Sequence, residues 1–269
     1  MDVVRSFRRR LCMAVVLLGS AAPAMAADPP ANETPLQLQQ RRVDALRAAA
    51  DAASPTNQPD RDALVRAMIV VMAVADPALL PDASAGLTAL PDLRTLCANS
   101  AHAGAHLVRM ARATGDTEGM LARMSVAVDG TMIMATACSA RQLDIQSRAI
   151  LARPGKQPTV EELTAIQKEA DTLPRNIAGI VLGASLTDLN PNSRARTALD
   201  GLPVLVEATA AMPPATKTAT LEAVQQILDP PDRDGHIDHE ARDVLLQALK
   251  GSECAAACEL LGAAEGRPG

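Results

Sequence analysis

The chain contains no tryptophan and no tyrosine, and its single phenylalanine is Phe7. Aromatic side chains usually dominate protein cores and interfaces, so this protein has to fold and bind with aliphatic, alanine and methionine side chains. Sites that stack sugars or nucleic-acid bases on aromatic rings are therefore not expected. The balance of 26 Lys and Arg against 31 Asp and Glu, a net charge of −5, also lacks the basic surface that binds nucleic acid.

Recognisable catalytic patterns are missing as well. The sequence has no HExxH, GxSxG, SxxK, P-loop or GxGxxG motif, and only four histidines. Few pairs of a nucleophile and a base can therefore be assembled. We expect a non-catalytic protein without a resident cofactor, and an enzyme with a dispersed carboxylate site is the alternative.

The first 26 residues resemble a secretory signal peptide. Arg5 and Arg8 to Arg10 form a basic segment, Leu11 to Gly19 form an apolar run, and Ala24 and Ala26 have the spacing of a cleavage site. The run is too short to span a bilayer, which takes about 20 residues. We expect cleavage near Ala26, no membrane span in the mature chain, and a periplasmic or secreted location. Residues 1–26 hold four of the basic and one of the acidic residues, so the remainder carries a net charge of −8.

Four cysteines follow the predicted cleavage site: Cys97, Cys138, Cys254 and Cys258. An even number in an oxidising compartment favours two disulfides. Three pairings can be drawn. We favour Cys97 with Cys138 and Cys254 with Cys258, because folding the chain back at Gly115 places Cys97 within about one helical turn of Cys138.

The rest of the chain has the pattern of helices separated by Pro, Gly and Asp. This pattern predicts an all-α fold, a single helical-bundle-like domain of about eight to ten helices over residues 35–261, with an α-solenoid of helical hairpins as the alternative. Residues 27–34 are expected to be a flexible lead-in, residues 153–158 a hinge, and residues 262–269 a disordered tail. The segment 60–75 is apolar on all sides except at Arg66, which predicts a helix at the centre of the fold. One long helix is expected from Thr117 towards Ala152, with Asp116 as its N-cap. Thr159 and Glu162 have the spacing of a capping box at the start of the following helix.

A cluster of soft metal ligands is expected on both sides of the turn at Gly115. His102, His106 and Met110 recur every four residues on the first helix, and Met120 and Met124 do so on the second. An antiparallel hairpin would place Met110 opposite Met120 and His106 opposite Met124. Imidazole and thioether ligands suit Cu(I), so a Cu(I) site is one hypothesis, and ordinary core packing of the methionines is the alternative.

The segment DPPDRDGHIDHE, residues 229–240, lies between two predicted helices. It resembles the calcium-binding loop of the EF-hand family. Alignment on Gly235 and Ile237 places Asp232, Asp234 and Asp238 at positions three, five and nine, but Pro230 and Ala241 at positions one and twelve. A start at Asp229 restores the acidic ends, Asp229 and Glu240, and displaces the glycine by one. The resemblance implies a Ca²⁺ site at residues 229–241. The alternative is a plain connection in which Asp238 caps the next helix.

The remaining pattern is Gly179 and Gly183 in an apolar run of about ten residues, which predicts close packing between helices inside the fold. Taken together, the sequence predicts an exported, non-catalytic helical protein of the bacterial periplasm or cell envelope. It is expected to act through contacts with an unidentified protein partner. A metal-binding protein, with Cu(I) at the His/Met hairpin or Ca²⁺ at the acidic loop, is the alternative function.

Overall fold

Eleven α-helices account for most of the residues that the structure describes, which confirms the all-α prediction. The structure is a computed structural model, and it describes residues 33–154, 158–228, 236–251 and 253–265. From Thr34 onward these residues belong to one unit. The helices are α1 (Pro35–Ala52), α2 (Arg61–Val74), α3 (Leu90–Ala113), α4 (Thr117–Arg123), α5 (Ser125–Leu151), α6 (Val160–Ala170), α7 (Leu173–Ser185), α8 (Pro191–Ala210), α9 (Pro214–Leu228), α10 (His239–Gly251) and α11 (Ala256–Glu265).

Several helices begin where the sequence has a side chain that can cap them. Thr159 and Glu162 form the predicted capping box, in which each side chain accepts a hydrogen bond from the other residue's backbone N–H. Asp116 caps α4 by accepting from the N–H of Gly119. A second capping box, Thr34 with Gln37, starts α1 at the end of the segment predicted to be a lead-in. At the other end, α11 continues to Glu265, beyond the predicted start of the tail.

Helix α5 lies at the centre of the bundle. It packs against α2, α3, α6, α7, α8 and α11, and 15 of its 27 residues are buried. Many of these are small, including Ala127, Ala137, Ala140 and Ser147, so neighbours can approach α5 on several sides. This arrangement supports the bundle rather than the solenoid.

The prediction that the segment 60–75 occupies the centre is wrong. Helix α2 is covered by α1, α3 and α5, but Val65 is 41% exposed and Ile69 is 57% exposed. The prediction assumes that a helix that is apolar on all sides except at Arg66 is also buried on all sides. In the structure, α5 occupies the centre, and one side of α2 is left uncovered.

The long helix expected from Thr117 to Ala152 is interrupted at Met124. Its backbone leaves helical geometry there, with φ −103° and ψ 15°, and this break separates α4 from α5. Gly104 of α3 consequently faces Thr131 of α5, and Cys97 is bonded to Cys138. The pairing of α3 with α5 is thus displaced by about one helical turn from the predicted hairpin.

Glycines of α7 and α8 allow three helices to pack closely. A Cβ atom on Gly183 would lie 2.8 Å from a carboxylate oxygen of Asp129, and one on Gly179 would lie 2.6 Å from the sulfur of Met132. On α8, a Cβ atom on Gly201 would lie 2.7 Å from Cγ2 of Ile180. The expected role of Gly179 and Gly183 in close helix packing is confirmed.

Polar side chains connect the helices at two further places. Gln39 of α1 donates to the backbone carbonyl of Val74 and accepts from Asn99 of α3, so a buried amide pair joins the first three helices. Arg141 of α5 binds both carboxylate oxygens of Glu207 on α8 and also donates to the carbonyl of Pro81. The hydrogen bonds of Arg141 attach the segment of short 3₁₀ turns, residues 77–89, to the central helix of the bundle.

We expect Gly201→Ala and Gly130→Ala to change stability in opposite directions. The new methyl group at position 201 meets the branched side chain of Ile180, which should lower the free energy of unfolding by about 1–2 kcal/mol after allowing for the better helix propensity of alanine. A Cβ atom on Gly130 has nothing within 4 Å, so alanine there should raise it by about 0.5–1 kcal/mol. Urea unfolding measures both, and equal effects would contradict the close approach of α7 and α8.

Candidate functional site

The residues of the predicted His/Met cluster lie in different surroundings. His102 is exposed, whereas Met110 and Met124 are among the buried core residues. His106 is buried and Met120 is half-buried. The displaced pairing of α3 and α5 moves Met110 away from the position opposite Met120 that the sequence suggested.

His106 is held by a chain of charged groups on α1 and α3. Arg109 donates through Nη2 to Nδ1 of His106, at 3.2 Å, and forms an ion pair with Asp51. Burial, and secondly the positive charge of Arg109, lower the pKa of His106. A guanidinium beside the ring nitrogen competes with a metal cation for the same lone pair. The Cu(I) site stays a prediction.

The predicted calcium loop is only partly described. Asp229, Asp232 and Asp234 lie outside the described residues, while Asp238 and Glu240 lie within them. Both oxygens of Asp238 are engaged: Oδ1 accepts from the N–H of Ala241, and Oδ2 accepts from Arg194 at 2.9 Å. These two bonds, the backbone one first, lower the pKa of Asp238. The structure therefore confirms that Asp238 caps α10, and the Ca²⁺ site stays a prediction.

The end of this loop is joined to the connection between α7 and α8. Ile237 and Leu186 form an isolated antiparallel β-bridge, and Thr187 donates to the carbonyl of His236. The side chains of His236 and Asp188 also pair, at 2.9 Å. Asp238 is fixed in turn by its N–H bond to the carbonyl of Ser185. Two helix–loop–helix units, α7–α8 and α9–α10, are thereby coupled at their connections.

A buried carboxylate lies where α5, α7 and α8 meet. Asp129 is 5% exposed, and its Oδ2 accepts a hydrogen bond from Thr197 of α8 at 2.8 Å. Gly183 of α7 supplies the space on the other side. Burial raises the pKa of Asp129 to about 6, and the Thr197 hydroxyl offsets only part of that effect. No sequence motif marks Asp129, because its burial depends on how three distant segments pack.

The structure pairs the cysteines as the sequence favoured. Cys97 is bonded to Cys138, with Cα atoms 6.0 Å apart, and Cys254 to Cys258, with Cα atoms 5.6 Å apart. The first bond joins α3 to the central helix α5. The second lies at the beginning of α11.

Two helices expose rows of apolar side chains. We call the row on α2 the α2 face: Val65 and Ile69 are exposed, and Met68 and Met72 on the same side are half-buried. Helix α8 exposes Leu199 at 66% and Val206 at 43%. The α8 row is flanked by the exposed ion pair of Arg196 and Asp200, as on the outer side of an ordinary amphipathic helix. The α2 face has no charged side chain from Ala67 to Ala75.

Within the described residues, no group of three or more His, Cys, Asp or Glu side chains is placed to hold a metal ion. No single helix there is long and apolar enough to cross a membrane. One bent pair, Arg61–Val74 with Pro77–Ala85, has the necessary length and apolar composition only when its two parts are taken together.

Comparison with known proteins places the chain in no family. No protein-family model, no curated protein and no solved structure matches it.

We expect Asp129 to make the protein less stable as pH rises. The folded-state pKa of about 6 lies above the ordinary value of 3.8. The unfolded chain therefore loses this proton first, and stability falls between about pH 4 and pH 6 and stays lower above that range. The two-unit difference corresponds to about 3 kcal/mol.

In Asp129→Asn this loss should be absent. From pH 4 to pH 7.5 the parent protein should therefore lose about 2–3 kcal/mol of unfolding free energy that the variant does not lose. The variant should become more stable relative to the parent by that amount. Asp200→Asn, at an exposed ion pair, is the control and should change stability by less than about 1 kcal/mol at either pH. A difference for Asp129→Asn that does not vary with pH would contradict the burial of its charge.

Proposed function

We propose that this is an exported, non-catalytic protein of the bacterial periplasm or cell envelope, which binds a protein partner through the α2 face. The observation that carries the proposal is the uncovered side of α2. A helix as apolar as α2 is from Ala67 to Val74 is ordinarily buried, yet Ile69 and Val65 project into solvent. A contiguous apolar face left uncovered on a domain is typical of a binding surface.

The charges around the α2 face favour a protein over a lipid surface. Asp60, Arg61 and Asp62 are exposed at one end and Asp76 at the other, so each end has a net negative charge. Arg66 is the only charged residue between Asp62 and Asp76. The chain as a whole is acidic, with a net charge of −5, so an anionic membrane surface would repel it. Helix α2 has 14 residues, a length of about 21 Å. The best-matched partner is an apolar helix of about four turns with basic residues near its ends.

Export is supported by the basic and apolar segments of residues 1–26 and by the cysteine pairs. Disulfides persist in oxidising compartments and are rare in the cytosol. Both bonds of this chain join cysteines that follow the predicted cleavage site. An extracellular or periplasmic location is compatible with these pairs.

The partner is sought with a photo-crosslinking amino acid in place of Ile69, introduced in the native host. We expect one discrete adduct with another protein. The matched control places the same group at Val160 of α6, an exposed valine that belongs to neither apolar row, and should give no adduct. A second crosslinker at Val65 should lose its adduct when Ile69→Asp is added, with the stability changed by less than about 0.5 kcal/mol.

Three outcomes would overturn this proposal. No adduct at position 69 would show that the α2 face is unoccupied in cells. An adduct at twice the mass of the chain would identify a second copy, and an adduct with lipid would identify a membrane surface. An equal adduct from position 160 would show that the contact is nonspecific.

Export has a separate readout. The protein purified from the periplasm or the medium should begin at Ala27, and reduction should add one hydrogen for each of the four paired cysteines. Intact-mass measurement before and after reduction tests both. A mass that includes residues 1–26, or a protein in which all four cysteines are free before reduction, would contradict export into an oxidising compartment.

A further inference from the structure

The two disulfides differ in what they connect. Cys97 and Cys138 are 41 residues apart and join α3 to the central helix, where Cys138 is 4% exposed. Cys254 and Cys258 are four residues apart and close only the first turn of α11. The restraint that a disulfide places on an unfolded chain grows with the length of the loop it closes, so the second bond restrains little.

Helix α11 is held in place by contacts that do not involve its disulfide. Ala257, Leu260 and Leu261 are buried, and the helix packs against α5 and α6. The N–H of Ala255 also donates to the carbonyl of Ala210, at 2.8 Å. Opening the Cys254–Cys258 bond would leave these contacts intact, so the helix can remain docked in both redox states.

The two sulfurs of this bond have unequal access to solvent. Cys254 precedes α11 and is exposed, whereas Cys258 is 8% exposed and is the third residue of the helix. The unpaired N–H groups of a first helical turn stabilise a thiolate. The geometry therefore offers Cys254 as the sulfur that is attacked and Cys258 as the thiolate that leaves.

We propose that Cys254 and Cys258 form a thiol–disulfide exchange site for a dithiol, either a small molecule or a pair of cysteines on a protein. One thiolate of the dithiol bonds to Sγ of Cys254, the Cys254–Cys258 bond breaks, and its electron pair goes to Sγ of Cys258. The second sulfur of the donor, as a thiolate, then attacks the donor's first sulfur in the mixed disulfide. A disulfide forms within the donor, and Cys254 is released as a thiolate. The donor becomes a disulfide, and the two cysteines gain two electrons and two protons.

The charges beside the site determine the probe. Glu253 precedes Cys254, Glu259 follows Cys258, and both are exposed. Their negative charge disfavours a donor that carries carboxylates besides its thiolate, such as glutathione, and favours a dithiol with no other charged group. Dithiothreitol is therefore the probe.

The native protein is treated with dithiothreitol, quenched with an alkylating reagent and mapped by peptide mass spectrometry. We expect Cys254 and Cys258 to be alkylated at least about tenfold faster than Cys97 and Cys138, while the helical circular dichroism is unchanged. The bond should also react at least about tenfold faster than glutathione disulfide at equal concentration. The proposal would be overturned if both pairs were reduced at the same rate, or if the Cys254–Cys258 bond were reduced no faster than glutathione disulfide. Either result would give this bond a purely structural role.

Two single-cysteine variants test which sulfur is attacked. In Cys258→Ser the free thiol is the exposed Cys254, and in Cys254→Ser it is the buried Cys258. We expect the first thiol to react with an aromatic disulfide reagent at least about tenfold faster than the second. Equal rates would contradict Cys254 as the point of entry, and circular dichroism of both variants checks that each is folded.

Discussion

The fold depends on close contact between helices that have no aromatic side chains to fill the space between them. Large rings normally occupy the gaps at helix crossings, and here those gaps must be removed by bringing backbones together. Gly201 packs on Ile180, Gly183 on Asp129 and Gly179 on Met132. The small side chains of α5 allow the same approach from the centre. Volume is then supplied by leucine, isoleucine and methionine, as at Met134 and Leu143.

The same close packing explains the buried carboxylate. With Gly183 on one side and Thr197 on the other, Asp129 lies between helices at a point where a larger neighbour would leave no room. Burial of Asp129 lowers the stability of the protein once this carboxylate is ionised. The hydrogen bond from the Thr197 hydroxyl offsets only part of that cost. The position thus lowers stability in the pH range above 6, and the packing of the surrounding apolar side chains must offset that cost.

The sequence predicted well the features that depend on neighbouring residues. The capping box of Thr159 and Glu162, the cap at Asp116 and the role of Asp238 follow from side chains that bond within three residues. The Cys97–Cys138 pair was also predicted correctly, because the expected hairpin already placed the two cysteines within about one helical turn of each other, and the actual pairing of α3 and α5 differs from it by about that distance. The His/Met cluster was more sensitive, and the break at Met124 displaced its two halves. Asp129 and the uncovered side of α2 could not be found, because each depends on which helices pack around it.

The lack of aromatic residues also constrains how this protein can bind a partner. Interface affinity is concentrated in a few buried anchors, most often Trp, Tyr and Arg. The α2 face has aliphatic and thioether side chains instead, which adapt their shape well but provide shallow, rounded contacts. If the α2 face is the proposed interface, a partner that binds tightly must provide the large side chains, which would pack over Ile69 and Met72. In the proposed complex the anchor side chains would therefore come from the partner, and the aliphatic and thioether side chains of the α2 face would adapt to them.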